Sequence, residues 1–397
     1  MRVTSQKLPY YSINKLLWRW SKQDGCWIVP DVALSSARSP PNLDAESAVP
    51  HALREPQLPK TKPQPGDGLL RMMQMHSRFK TWLDTPDPPR QSKPVPAPKE
   101  RQETVPLFDI QEIPGAMRKN LMFKSATLME RWFAGTLNYS PTHADEEAEI
   151  NQDGQPYPSN MYDTTTMKLD WVLQFARAKA QYDELIDTVV RSPASIKQLK
   201  TTLRRYRRSG ADLDAWALSG QSLTKLHKHF QFEYAGVESS LGQKVARGLD
   251  TAITNQGAPD DLTGSLGSFN LYAAVAYAHF NDDATRAEVT GIYVYIKDNY
   301  TFTDKPNGVS QYLGHWGSKG VIIVPYNAAA SIMNKPWMPY VDYPVAVGDV
   351  HNKGNVYYPI HNSAFRAWAK KHQRGGDFVV YSDYKFVPLY PPMKVYL

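Results

Sequence analysis

Residues 270–302 read NLYAAVAYAHFNDDATRAEVTGIYVYIKDNYTF, and two stretches within them alternate. Over Asn270–Phe280, Leu271, Ala273, Val275 and Tyr277 fall on one side. Over Glu288–Phe302, Val289, Gly291, Tyr293 and Tyr295 oppose Ile292, Val294 and Ile296. Successive side chains of a strand face opposite sides of a sheet, so both stretches predict strands. Toward the carboxyl end, Gly320–Tyr326, Tyr343–Val350 and Asp377–Pro388 predict more strands. Ser363–His372, ended by Gly375-Gly376, predicts a helix.

Before Gly264 the period changes. Ala116–Leu137 predicts one helix, with Leu121, Ser125, Leu128, Met129, Trp132 and Phe133 as its apolar stripe. Asp163–Thr166 caps a second helix running to about Val190. Ser192-Pro193, an N-cap with proline at the first helical position, opens a third. Leu213–Tyr234 and Gly236–Leu249 predict further helices. Helices segregated from strands point to an α+β fold: a helical middle region followed by a mainly antiparallel β-sheet domain with one helix. The expected divisions are 1–106, 107–264 (a helical platform) and 265–397 (the β-rich domain).

The first 106 residues differ in kind. Pro30–Pro106 is a proline-rich linker, as in Lys93-Pro94-Val95-Pro96-Ala97-Pro98, and proline resists helix. Two apolar islands, around Leu16–Trp20 and over Leu69–Leu83, predict short docking helices. No charged-then-apolar signal peptide opens the chain, so synthesis in the cytoplasm is expected. A single cysteine, Cys26, excludes a disulfide framework within the chain. No apolar run approaches the roughly 18 residues of a spanning helix.

The net charge of +7 over 397 residues is uneven. Successive hundreds carry +6, −3 and −1, and the last 97 residues carry +5. A nucleic-acid binder concentrates its cations in one stripe with interleaved aromatics, so nucleic acid is not the expected partner. Arg204, Arg205, Arg207 and Arg208 close the third helix, where cations suit the macrodipole. Their functional reading is anion binding.

Short catalytic motifs are absent: there is no Gly-x-Gly-x-x-Gly after a strand, phosphate-binding loop, His-Glu-x-x-His or Gly-x-Ser-x-Gly. No cofactor or metal site is read. The candidate catalytic residues lie in the carboxyl third. Asp298 and Tyr300, two apart on a strand, share a face. His315 follows a turn, Asp349 and His351 are two apart, and His361 precedes the helix carrying Arg366. Carboxylate, imidazole and guanidinium together suit general acid–base or phosphoryl chemistry. Each also has a structural reading, such as closing a turn or satisfying backbone amides.

Several words resemble an uncharacterised bacterial family often encoded beside type VI secretion genes. They are Ile113–Lys119, Leu128–Phe133, Asp260–Gly267, Val294–Phe302, Gln311–Trp316, Asn362–Arg366 and Gly375–Phe378. The resemblance spans about 107–388. It implies a secreted antibacterial effector, a toxin of interbacterial competition that enters a target cell. Its implied partners are a secretion spike or adaptor protein and an immunity protein. If the protein is an enzyme, the expected reaction is hydrolysis of a cell-envelope or nucleotide-type phosphate. The alternatives are a non-enzymatic adaptor or structural module, and a nucleic-acid-binding or nuclease toxin. The resemblance carries no catalytic residues over.

Overall fold

The computed structural model describes residues 34–41, 107–238, 259–304, 310–323, 344–347, 352 and 354–397, and the backbone at 10–14 and 19–23. The chain divides into two compact units, residues 1–43 with 103–397, and residues 44–102; all described residues belong to the first.

Thirteen strands are found among the described residues. In chain order they are β1 (Tyr10–Asn14), β2 (Arg19–Gln23), β3 (Tyr162–Asp163), β4 (Asp212–Asp214), β5 (Gln231–Val237), β6 (Phe269–Phe280) and β7 (Arg286–Tyr300). Then come β8 (Tyr312–Gly317), β9 (Gly320–Ile322), β10 (Val345–Ala346), β11 (Val356–His361), β12 (Phe378–Tyr381) and β13 (Lys385–Tyr396). The helices are α1 (Ile113–Lys119), α2 (Phe123–Ala134), α3 (His143–Glu147), α4 (Leu169–Val172) and α5 (Ala176–Asp187). They continue as α6 (Pro193–Arg204), α7 (Ala215–Leu218), α8 (Leu223–Phe230), α9 (Asp261–Leu266) and α10 (Asn362–His372). The fold is α+β, with helices in the middle and strands toward the carboxyl end.

Two sheets form. One runs β2-β1-β10-β11-β8-β9. The other runs β3-β12-β7-β6-β4, with β13 also on β7 and β5 also on β6. Only β1–β10 and β3–β12 pair in parallel among the described strands. The β6–β7 hairpin is the spine of the second sheet, in a register that sets Leu271 opposite Ile296 and Tyr272 opposite Tyr295. Ile292, Val294, Tyr295 and Ile296 are all buried, so β7 is covered on both faces.

Several elements depart from the sequence expectation. The helix expected over 116–137 is two helices, broken at Leu121, which has φ 60° and is 72% exposed. The stripe of Ser125, Leu128, Met129, Trp132 and Phe133 on α2 is buried as expected. The helix expected over 213–234 yields to β4, α7, α8 and β5, because β4 and β5 complete the ladder on β6. Trp20 lies in β2 of a hairpin rather than in a short helix. The expected helix at 69–83, Cys26 and most of 236–249 lie outside the described residues.

The core centres on Trp132. Its ring meets Phe133 at 5.2 Å, Phe302 at 5.0 Å, Phe365 at 5.5 Å and Trp368 at 5.7 Å between centroids. Its indole N–H donates to Asp377 Oδ1 at 2.8 Å. Gly375, at φ +93°, passes so close that an added Cβ would sit 2.7 Å from the indole. The Asp260-Asp261 pair joins helices. Asp261 accepts from the Lys124 and Ser125 backbone amides at 2.9 and 2.8 Å, capping α2 from outside its own sequence. Asp260 caps α9 through Thr263 and takes a two-pronged bond from Arg177 at 2.9 and 2.8 Å.

The segment 34–41 is bound to the body. Ser35 exchanges backbone hydrogen bonds with Phe108 and Ile110, both at 2.9 Å, and its hydroxyl donates to Asp109 at 2.7 Å. Lys371 donates to the Ser36 carbonyl at 2.9 Å, beside His372 at 2.7 Å.

Candidate functional site

The β6–β7 ladder ends at Asn270 opposite Lys297, while β7 runs on to Tyr300. Past that point a cavity of about 930 Å³ opens beside β7. Its walls come from the end of β7, the residues after it, α9 and its following turn, β8, and α3.

Helix α3 is short and starts at Thr142, whose hydroxyl accepts from the Asp145 amide at 3.1 Å. The cap sets His143, Glu146 and Glu147 on the cavity wall. Glu146 is then held from three directions. Thr301 Oγ1 donates to its Oε1 at 2.9 Å, His143 Nδ1 lies 3.3 Å from its Oε2, and the Asn299 side-chain amide reaches its backbone carbonyl at 3.4 Å.

Asp298 lines the same cavity. Alternation along β7 places it on the face shared by Val294 and Ile296, both buried. Burial raises its carboxyl well above the usual range, and the charge of Glu146 adds to the rise. Lys297 offsets only part of this, being paired with Glu149 at 2.9 Å. A carboxyl shifted toward its acid form by burial, lining the same cavity as a second, hydrogen-bonded carboxyl, suits general acid–base chemistry. The buried atoms Asn299 Oδ1 and Thr303 Oγ1, on the cavity-lining stretch that includes the end of β7, have no hydrogen-bond partner.

The other sequence candidates distribute as follows. Tyr300 lines the cavity, stacked on Phe378 at 5.0 Å, and burial raises its phenol. His315 is fully buried behind the wall, 2.5 Å from the hydroxyl of the cavity residue Tyr312. His361 packs against Tyr312 with centroids 5.5 Å apart. Arg366 belongs to the core: it donates to Asp377 at 2.7 Å and lies 4.5 Å over the Tyr139 ring. Asp377 is fully buried and pushed up to about 6, against the pull of Arg366 and Trp132. Asp349 and His351 lie outside the described residues. Arg204, Arg205, Arg207 and Arg208 are exposed at the end of α6 and do not line the cavity.

Sequence reading missed His143 and Glu146. Asp145-Glu146-Glu147 reads as a polar loop; the only signal was Thr142 three residues before Asp145, the spacing of a helix cap. Among the described residues, no group of three metal-ligating side chains occurs, and no helix is long and apolar enough to cross a membrane.

No curated protein and no solved structure matches the chain significantly. Residues 108–397 match a family described as "Family of unknown function (DUF6402)". The match takes in the cavity, both carboxyls and the whole core around Trp132, and the chain belongs to the DUF6402 family.

Proposed function

We propose that the chain is an acid–base hydrolase with the β7 cavity as its active site. The observation that carries this reading is that Asp298 and Glu146 line one cavity in unlike surroundings, close enough for the charge of Glu146 to act on Asp298. In this reading Asp298, in its acid form, gives its proton to the leaving-group oxygen as the scissile bond breaks. Glu146, oriented by Thr301 and His143, takes a proton from the attacking water. Water is consumed, and the two carboxyls exchange protonation states until solvent resets them.

The setting we propose is that of an antibacterial effector handed to a type VI secretion machine and neutralised in its producer by an immunity protein. Its support is the resemblance carried by the words from Ile113 to Phe378. Induced expression in a susceptible bacterium, directed in turn to cytoplasm and periplasm, is expected to arrest growth in one compartment. Asp298→Asn and Glu146→Gln are each expected to relieve that arrest at equal protein level. Normal growth in both compartments would sink the effector reading.

The adaptor reading rests on a different surface. Tyr277, Tyr384 and Phe386 are 40%, 36% and 49% exposed around Tyr293 on the second sheet, an apolar face suited to a protein partner. Binding of purified spike protein, lost in Phe386→Ser but kept in Asp298→Asn, would favour it over catalysis.

A further inference from the structure

We propose that the β7 cavity takes a neutral, hydroxyl-rich oligosaccharide and not a phosphate ester. The inference rests on the hydrolase reading and names its substrate class. Three observations lead to it.

The first is charge. Glu146, Glu147 and Asp298 line the cavity, and Lys297, the one lysine or arginine among its described lining residues, is already paired with Glu149. A phosphodiester would bring its negative charge against Glu146 and would have to compete with Glu149 for Lys297. A neutral ligand meets no such repulsion.

The second is hydrogen-bonding capacity. Asn299 Oδ1 is a buried acceptor without a hydrogen bond, and Thr303 Oγ1 is a buried hydroxyl in the same condition. The Asn299 oxygen only accepts, so it favours a ligand that carries O–H or N–H donors, while the Thr303 hydroxyl can donate or accept. Sugar hydroxyls supply donors; phosphate oxygens do not.

The third is shape. Tyr234 and Tyr272 line the cavity with ring centroids 5.9 Å apart, and Tyr234 is 53% exposed. Flat aromatic faces next to polar groups suit the two-sided character of a sugar ring. The volume of about 930 Å³ lies near the top of the range for small-molecule sites and accommodates several rings.

The chemistry balances as glycoside hydrolysis. The anomeric carbon–oxygen bond breaks, Asp298 protonates the departing oxygen, and the water oxygen bonds to the anomeric carbon while its proton passes to Glu146.

The test uses the purified full chain. Chitotetraose, cellotetraose and maltotetraose are the neutral probes, and bis-p-nitrophenyl phosphate is the phosphodiester probe. Calorimetry on Asp298→Asn is expected to show binding of at least one tetrasaccharide. Tyr234→Ala is expected to weaken it by about tenfold. The unaltered chain is expected to cleave that sugar, and Asp298→Asn and Glu146→Gln are expected not to. Should none of the three sugars bind, the saccharide assignment is overturned. Should the phosphodiester be cleaved in an Asp298-dependent way, the substrate class is wrong while the acid–base reading stands. Should a sugar bind and remain intact, the hydrolase reading fails and a saccharide-binding cavity remains.

Discussion

Asp377 and His227 are titratable groups set into the same body with opposite responses to protons. Burial holds the Asp377 carboxyl up at about 6. Burial, with Lys297 nearby, holds His227 down at about 4, its Nδ1 3.0 Å from the Tyr295 hydroxyl. For Asp377 the folded state keeps a proton that the unfolded chain has lost, so stability falls as pH rises from about 4 to 6. For His227 the unfolded chain gains a proton that the folded state refuses, so stability falls as pH drops from about 6.5 to 4. Each contributes about 3 kcal/mol across its window, with opposite sign, and their contributions nearly cancel there. Urea unfolding of Asp377→Asn is expected to show stability lost on acidification from pH 6.5 to 4. His227→Gln is expected to show stability lost as pH rises over 4 to 6. Parallel profiles for the two variants would refute the assignment. A second outcome concerns the cavity. Glu146→Gln removes the negative charge facing Asp298, so the Asp298 pKa is expected to fall, read by carboxyl-carbon NMR titration. Lys297→Met is expected to raise it.

Among the elements, α2 shows how packing and backbone are bound together. Trp132 fills the space that Gly375 leaves open, and Gly375 adopts a left-handed φ of +93°. Gly375→Ala is expected to cost about 3 kcal/mol or more, from strain at positive φ and the clash with the indole, measured as a lowered urea midpoint. The same scale explains what could be read in advance. β6, β7, α2 and α10 were legible because their periodicity is long and their burial one-sided or complete. The break at Leu121 was not, since leucine rarely takes positive φ and only the turn onto α2 imposes it. β5 was hidden because its strand state comes from pairing with β6. At the cavity, Asp298 and Tyr300 could be picked out because one strand carries both. Glu146 could not, because its partner Thr301 is 155 residues away in sequence. Arg366 looked like a catalytic cation, and its salt bridge to buried Asp377 accounts for it as a core group.

At the scale of the molecule, the net charge of +7 coexists with an acidic cavity wall. The long-range field and the local site therefore favour different ligands. A salt-insensitive affinity for the tetrasaccharide that binds is expected between about 50 and 200 mM salt, since no counterions are displaced; calorimetry at both concentrations checks it.

The hold of Ser35 on Phe108, Asp109 and Ile110 has a topological result. Ser35 and Asp109 lie 74 positions apart in sequence, so the clasp closes a covalent circuit that one backbone cut does not release. A chain cleaved once between them is expected to elute as one species from a sizing column under native conditions and as two fragments in denaturant.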